Sequence, residues 1–294
     1  MRRPAAFLTL LLLPSLLFAW GEKGHAIANE AATHAVPTEL PTFFHRAYFD
    51  LAWLGYEPDR WRGAGASADA AKAPDHFLDW EYVSHLELPR GRWDYVDLLH
   101  ASGTLRRYGI GSDTPGFAPW RIAETSEILT REWRMWRREP EGAHKSRIEQ
   151  NIIGLAGILG HYVADASNPH HATIHYNGWV GDPARGFRND CQTHARFESV
   201  FVANHVDLGD VVPRMREPEL REDYFATGVA LIRESNGMLE RLYELDRDGA
   251  FDALPAIEGG TEFAAERLAI GASVLRDLWW STWIASGRAE RGGR

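Results

Sequence analysis

The chain has 294 residues, a net charge of −9, 12 tryptophans and a single cysteine. The acidic balance argues against capture of nucleic acid over a broad basic surface, and Cys191 has no second cysteine to pair with inside the chain. The length is ample for one large core, so a single domain is expected.

Arg2 and Arg3 precede an apolar run over residues 5–18 that ends in Leu17-Phe18-Ala19. That is the layout of a cleavable secretory signal, and it is too short for a membrane span. Cleavage after Ala19 would leave 275 residues beginning at Trp20, with 30 basic against 41 acidic side chains and a net of −11. The expectation is an exported protein, secreted or periplasmic, with no stable membrane insertion.

Helical signals dominate the rest of the chain. Residues 25–34 are small and apolar on one side, and Pro119 opens a stretch to residue 138 in which Ile122, Ile128, Leu129, Trp133 and Trp136 roughly keep the helical period. Residues 148–165 are almost wholly apolar and predict a buried central helix. Further helices are expected over 194–203, 220–245 and 262–284. Between them lie three loops rich in small or turn-forming residues, 64–73, 109–119 and 176–189. Strand alternation is scarce. The expected fold is therefore all-α, one multi-helix domain with function at helix ends and loops, and the tryptophans are assigned to core packing.

His161 and Asp165 stand at i and i+4, on one helix face, where both can grip one cation. Asn168-Pro169 then breaks the helix and brings His171 within reach. Such ligands suit zinc, although a helix end with surface histidines fits this stretch alone equally well. Four more pieces join it in order: Trp20-Gly-Glu-Lys-Gly-His25, the acid Asp59 with Arg62 three residues on, His76-Phe77-Leu78-Asp79, and His194 with Glu198 at i+4. A freed α-amino group at Trp20, with its own carbonyl, can chelate a metal.

This ordered set, WGxxGH, an isolated Asp, HFxD, HxxxDxxxxxH and HxxxE, resembles the zinc-dependent S1/P1 nucleases and their relatives, the bacterial zinc phospholipases C. It runs from Trp20 to Glu198, with a weaker echo in Glu266-Arg267-Leu268-Ala269. The resemblance implies an all-α fold with a cleft holding three zinc ions. Asp59, His76, His161 and Asp165 would hold one. The Trp20 amine and carbonyl, His25 and a bridging Asp165 would hold a second, and His171, His194 and Glu198 the third. Three zincs would bring the mature net charge to −5. The implied activity is hydrolysis of phosphodiester or phosphomonoester bonds by metal-activated hydroxide. Asp59 would orient or deprotonate the attacking water, Arg62 would offset developing charge, and Phe77 with Asp79 would stack on and read a base.

Within that family the short gap from Trp20 to His25, the long gap from His171 to His194 and the basic Arg62 favour a single-strand-type endonuclease or 3′-nucleotidase. Its partner would be single-stranded nucleic acid or a nucleotide. Glu198, where the nucleases have Asp, and Gln192-Thr193, where they have Asn-Leu, pull toward a lipid phosphodiesterase with phospholipid as substrate. A metal-stabilised binding protein without turnover remains as the third reading. His34, His45, His85, His100, His144, His170, His175 and His205 are assigned to surface or packing. Asp75 yields to Asp59 because it adjoins His76, and Cys191 is expected to be a spare buried thiol.

Overall fold

A computed structural model describes residues 20–182, 184–252 and 259–288, and among these it contains helices and no strand. The expected signal segment, residues 1–19, lies outside the described residues. In chain order the helices are α1 (Gly21–His34), α2 (Thr42–Arg46), α3 (Tyr48–Leu54), α4 (Glu57–Arg60), α5 (Ala66–Lys72), α6 (Trp80–Val83), α7 (Arg92–Ala101) and α8 (Thr104–Tyr108). The long helices α9 (Ala118–Arg138) and α10 (Ala143–Ser167) follow, then the short α11 (Val202–His205) and α12 (Leu208–Val211). The chain closes with α13 (Tyr224–Asn236), α14 (Leu239–Arg247) and α15 (Gly260–Gly287). They form one all-α domain. No helix among the described residues is long and apolar enough to cross a membrane.

α10 is the axis of the fold because its C-terminal half has no polar face to give to solvent: every residue from Leu159 to Ser167 is buried. Gly157 and Gly160 let α1 and α3 approach closely. A methyl group at Gly160 would strike the Asn29 side chain, and one at Gly157 would strike Leu54. Asn29 uses that proximity to tie three helices, donating from Nδ2 to Leu51 O at 2.6 Å and to Gly157 O at 3.1 Å.

The helix stops where the sequence requires. Asn168, before Pro169, takes an extended conformation with φ −87° and ψ 124°. Three neighbours then satisfy carbonyls of the last turn. The Trp20 indole donates to Ala164 O at 2.6 Å, the Ser235 hydroxyl to Ala166 O at 2.7 Å, and Arg267 Nε to Ser167 O at 3.0 Å. The buried guanidinium also faces the negative end of the α10 dipole.

α15 flanks α10 and is buried around nearly its whole circumference. Against it α2 and α9 supply an aromatic seam in which Phe43, Phe44, Trp133, Trp136, Trp279 and Trp283 meet at centroid distances of 5.2–6.2 Å. Offset and edge contacts of this kind add to the burial of the rings themselves. The tryptophans are not all core, however: Trp53 and Trp93 are exposed.

Three expectations need correction. The stretch 64–73 is not simply a loop, because Ala66–Lys72 forms α5: the helix propensity of alanine prevails once Gly63 and Gly65 have turned the chain. The expected helix over 220–245 is three pieces. Residues 216–221 run extended along α15, where Ser273, Asp277 and Ser281, four residues apart, accept from the backbone N–H groups of Arg216, Glu219 and Arg221. Gly237 and Met238 then separate α13 from α14. Cys191 is exposed, with φ 57°, rather than a buried thiol.

Candidate metal centre

The end of α10 gathers ligand-type side chains from six parts of the chain. α1 supplies His25, and α4, a single turn with Pro58 inside it, supplies Asp59. A 3-10 turn over Ala73–His76 supplies His76, and α10 itself supplies His161 and Asp165 one turn apart. The Pro169–Ala172 turn carries His171. His194 precedes a π-helix, Ala195–Phe201, that carries Glu198. Such widened turns occur frequently at functional sites. All eight side chains are buried.

Asp165 is the centre of this assembly. Its Oδ2 lies 2.9 Å from His76 Nδ1 and 3.2 Å from His161 Nε2, and its Oδ1 lies 3.4 Å from His25 Nε2 and 3.9 Å from His171 Nδ1. Among the described residues three ligand groups arise, each with one atom per residue within 4.8 Å of the others: His25, Asp59 and His161; His76, His161 and Asp165; and His171, His194 and Glu198. The third has the membership implied by the resemblance. The first differs, since His25 falls with Asp59 and His161, although Asp165 also lies close to it. Asp59 reaches the second group at 3.8 Å from His161 Nε2.

Trp20 is buried beneath α10, with its carbonyl accepting from Gly24 N at 3.2 Å. Its amine becomes a ligand only if the chain is cut after Ala19, outside the described residues.

Side chains and backbone aim these groups. His161 Nδ1 donates to Gly55 O at 2.8 Å and His171 Nδ1 to His76 O at 2.8 Å, which leaves both Nε2 atoms for a cation. Asn168, read from sequence only as a helix breaker, donates from Nδ2 to Glu198 Oε2 at 2.8 Å and so positions the acid across the turn. An Asn before Pro at a helix end was the available signal for this role.

The electrostatics fit a cation. Burial lowers the affinity of His25 and His76 for a proton and pushes His194 down to about 3, so these imidazoles are neutral donors. Burial pushes Glu198 up to about 8, outweighing the hydrogen bond and charge of His171. Burial would raise Asp165 too, but His171 and His161 hold it well below the usual carboxylate range. Both His25 nitrogens, Asp165 Oδ1, His194 Nδ1 and Glu198 Oε1 are buried without a hydrogen-bond partner. Such atoms are costly in a core, and a set of nitrogen and carboxylate donors suits zinc.

Above the groups opens a cleft of about 1040 Å³, lined by Trp61, Arg62, Lys72, Phe77, Asp79 and Tyr176 among others. Arg62 Nη2 is 2.7 Å from Asp59 Oδ1. Asp75 belongs elsewhere, ion-paired to Arg92 at 2.6 Å and Arg121 at 2.8 Å. His170 is fully buried, tilted against His194 at a centroid distance of 4.9 Å, and also borders the cleft.

Asp79 is pushed up to about 8 by burial and by the nearby charge of Glu81. The folded state then keeps a proton that the unfolded chain releases above about pH 4, so stability falls as pH rises from about 4 to about 8. Asp79→Asn is expected to flatten that part of the stability–pH curve. Urea midpoints at pH 5 and pH 8 measure it.

No protein-family model matches the sequence, and no curated protein matches it. Among solved structures the chain is similar to the alpha toxin from Clostridium absonum, at 11% identity and a TM-score of 0.39, over 92% of this chain and 67% of that one. So loose a likeness adds no weight to the reading of the residues.

Proposed function

We propose that the protein is an exported trinuclear zinc phosphoesterase, a single-strand-type endonuclease or 3′-nucleotidase. The observation that carries this reading is the buried carboxylate of Asp165 among four imidazoles, two of which, His76 and His171, line an open, aromatic-sided cleft. A binding protein with a purely structural metal would close its coordination and needs no such cleft.

When bound, zinc would lower the pKa of water toward neutrality and offer positive charge to phosphate oxygens. His25, Asp59, His76, His161, Asp165, His171, His194 and Glu198 would hold it, with the Trp20 amine if cleavage frees it. Asp59, paired with the cleft residue Arg62, would orient the attacking water and take its proton. Arg62, paired with Asp59 and partly exposed, would place forked donors on the phosphate as charge develops. Phe77 offers a ring to a base. Asp79, neutral below about pH 8, would donate a hydrogen bond to it as well as accept one.

One observation favours a lipid phosphodiesterase as the second reading. Ala64, Ala68, Ala70, Ala73, Pro58 and Pro74 line the cleft, and Arg62 and Lys72 are its only Lys or Arg side chains among the lining residues. The deciding experiment offers the zinc-loaded protein single-stranded DNA, RNA, 3′-nucleotides and phosphatidylcholine. Turnover of nucleic acid or nucleotide is expected; turnover of the lipid alone would overturn the nuclease assignment.

A further inference from the structure

Two segments far apart in sequence are laced together beside the third ligand group. His171 binds the 76–78 segment twice, through Nδ1 to His76 O at 2.8 Å and by accepting from Leu78 N at 3.0 Å. The lacing continues at Glu81 in α6. Its Oε1 accepts from Thr173 Oγ1 at 2.6 Å and from Asn236 Nδ2 at 2.9 Å, and its Oε2 accepts from Ile174 N at 3.0 Å. Asn236, at the end of α13, also donates to Ala172 O at 2.9 Å. Every polar group of the backbone stretch just after His171 that these contacts reach is therefore fixed by one carboxylate and one amide.

We propose that Glu81, with Asn236, is the positioning residue of the third metal group. It sets the backbone angle at which His171 leaves its turn toward His194 and Glu198, without touching metal or substrate. This rests on the zinc reading above. Three facts favour Glu81 over a generic loop anchor. It accepts three hydrogen bonds, from two separate elements. Two of those bonds come from Thr173 and Ile174, two and three residues beyond His171. The other two ligand groups draw no residue from the 171–175 segment. A carboxylate is needed because all three partners are donors; an amide at the same position must turn an N–H toward one of them. Outer residues that orient a metal ligand typically change metal affinity on the order of 10–100-fold when altered.

The test is stepwise zinc binding to the metal-stripped full chain, followed by competition with a chromophoric chelator, with far-UV circular dichroism as a check on folding. Wild type is expected to take three zincs. Glu81→Gln and Asn236→Ala are each expected to keep two at wild-type affinity and to weaken the third about tenfold or more. Three zincs at unchanged affinity in both variants would overturn the assignment. So would equal weakening of all three, which marks a general structural role. A wild-type chain that takes no zinc overturns the metal reading itself and this assignment with it.

Discussion

Asp165→Asn is expected to remove two of three zincs and to lower phosphoesterase activity by about 10³-fold or more. The amide keeps the shape of the carboxylate but loses its charge, and it must point an N–H group at imidazole nitrogens that are themselves ligands. His25, His76, His161 and His171 all lie within 3.9 Å of this one side chain. The loss is expected to be selective. His194 and Glu198 meet at 2.8 Å without Asp165, so the third group retains its zinc. Metal analysis alongside turnover of a simple phosphodiester checks this, and intact zinc content with wild-type activity would refute the bridging role.

Arg267→Met is expected to lower stability by about 3 kcal/mol in urea unfolding at pH 7. The guanidinium is 1% exposed and joins three elements: Nε donates to Ser167 O at 3.0 Å, Nη2 to Ser235 Oγ at 3.0 Å, and Nη1 reaches Glu234 at 3.4 Å. Methionine fills much of the volume but leaves the Ser167 carbonyl unmet in the core. Glu234 is partly exposed and regains water, which keeps the loss below that of a fully buried ion pair. A change under about 1 kcal/mol would show that the α10 end is held by packing alone.

How far the chain could be read in advance depends on how local each feature is. α10 and its stop were legible because apolar run, Asn168 and Pro169 are contiguous, and the pairs His161–Asp165 and His194–Glu198 because i, i+4 spacing survives even a π-turn. How the ligands divide between the first two groups was not. His25 meets His161 ring to ring at 4.0 Å only because Gly157 and Gly160 let α1 and α3 close on α10, and no spacing in the sequence encodes that approach. Asp59 looks like any loop acid until α4 turns it inward. Glu81 and Asn236 were invisible for the same reason: their partners lie 92 and 155 residues apart along the chain. The misread segments failed locally. The small residues of 64–73 suggested a loop where alanine-rich α5 forms, and 220–245, expected as one helix, has an extended start and a break at Gly237 and Met238.

We infer a trinuclear zinc centre from the buried imidazoles and carboxylates around Asp165. Zinc content of the purified mature chain, measured by elemental analysis against protein concentration after reconstitution and removal of free metal, tests it most directly. Three zincs per chain is the expected result. One zinc or none would rule out the trinuclear centre.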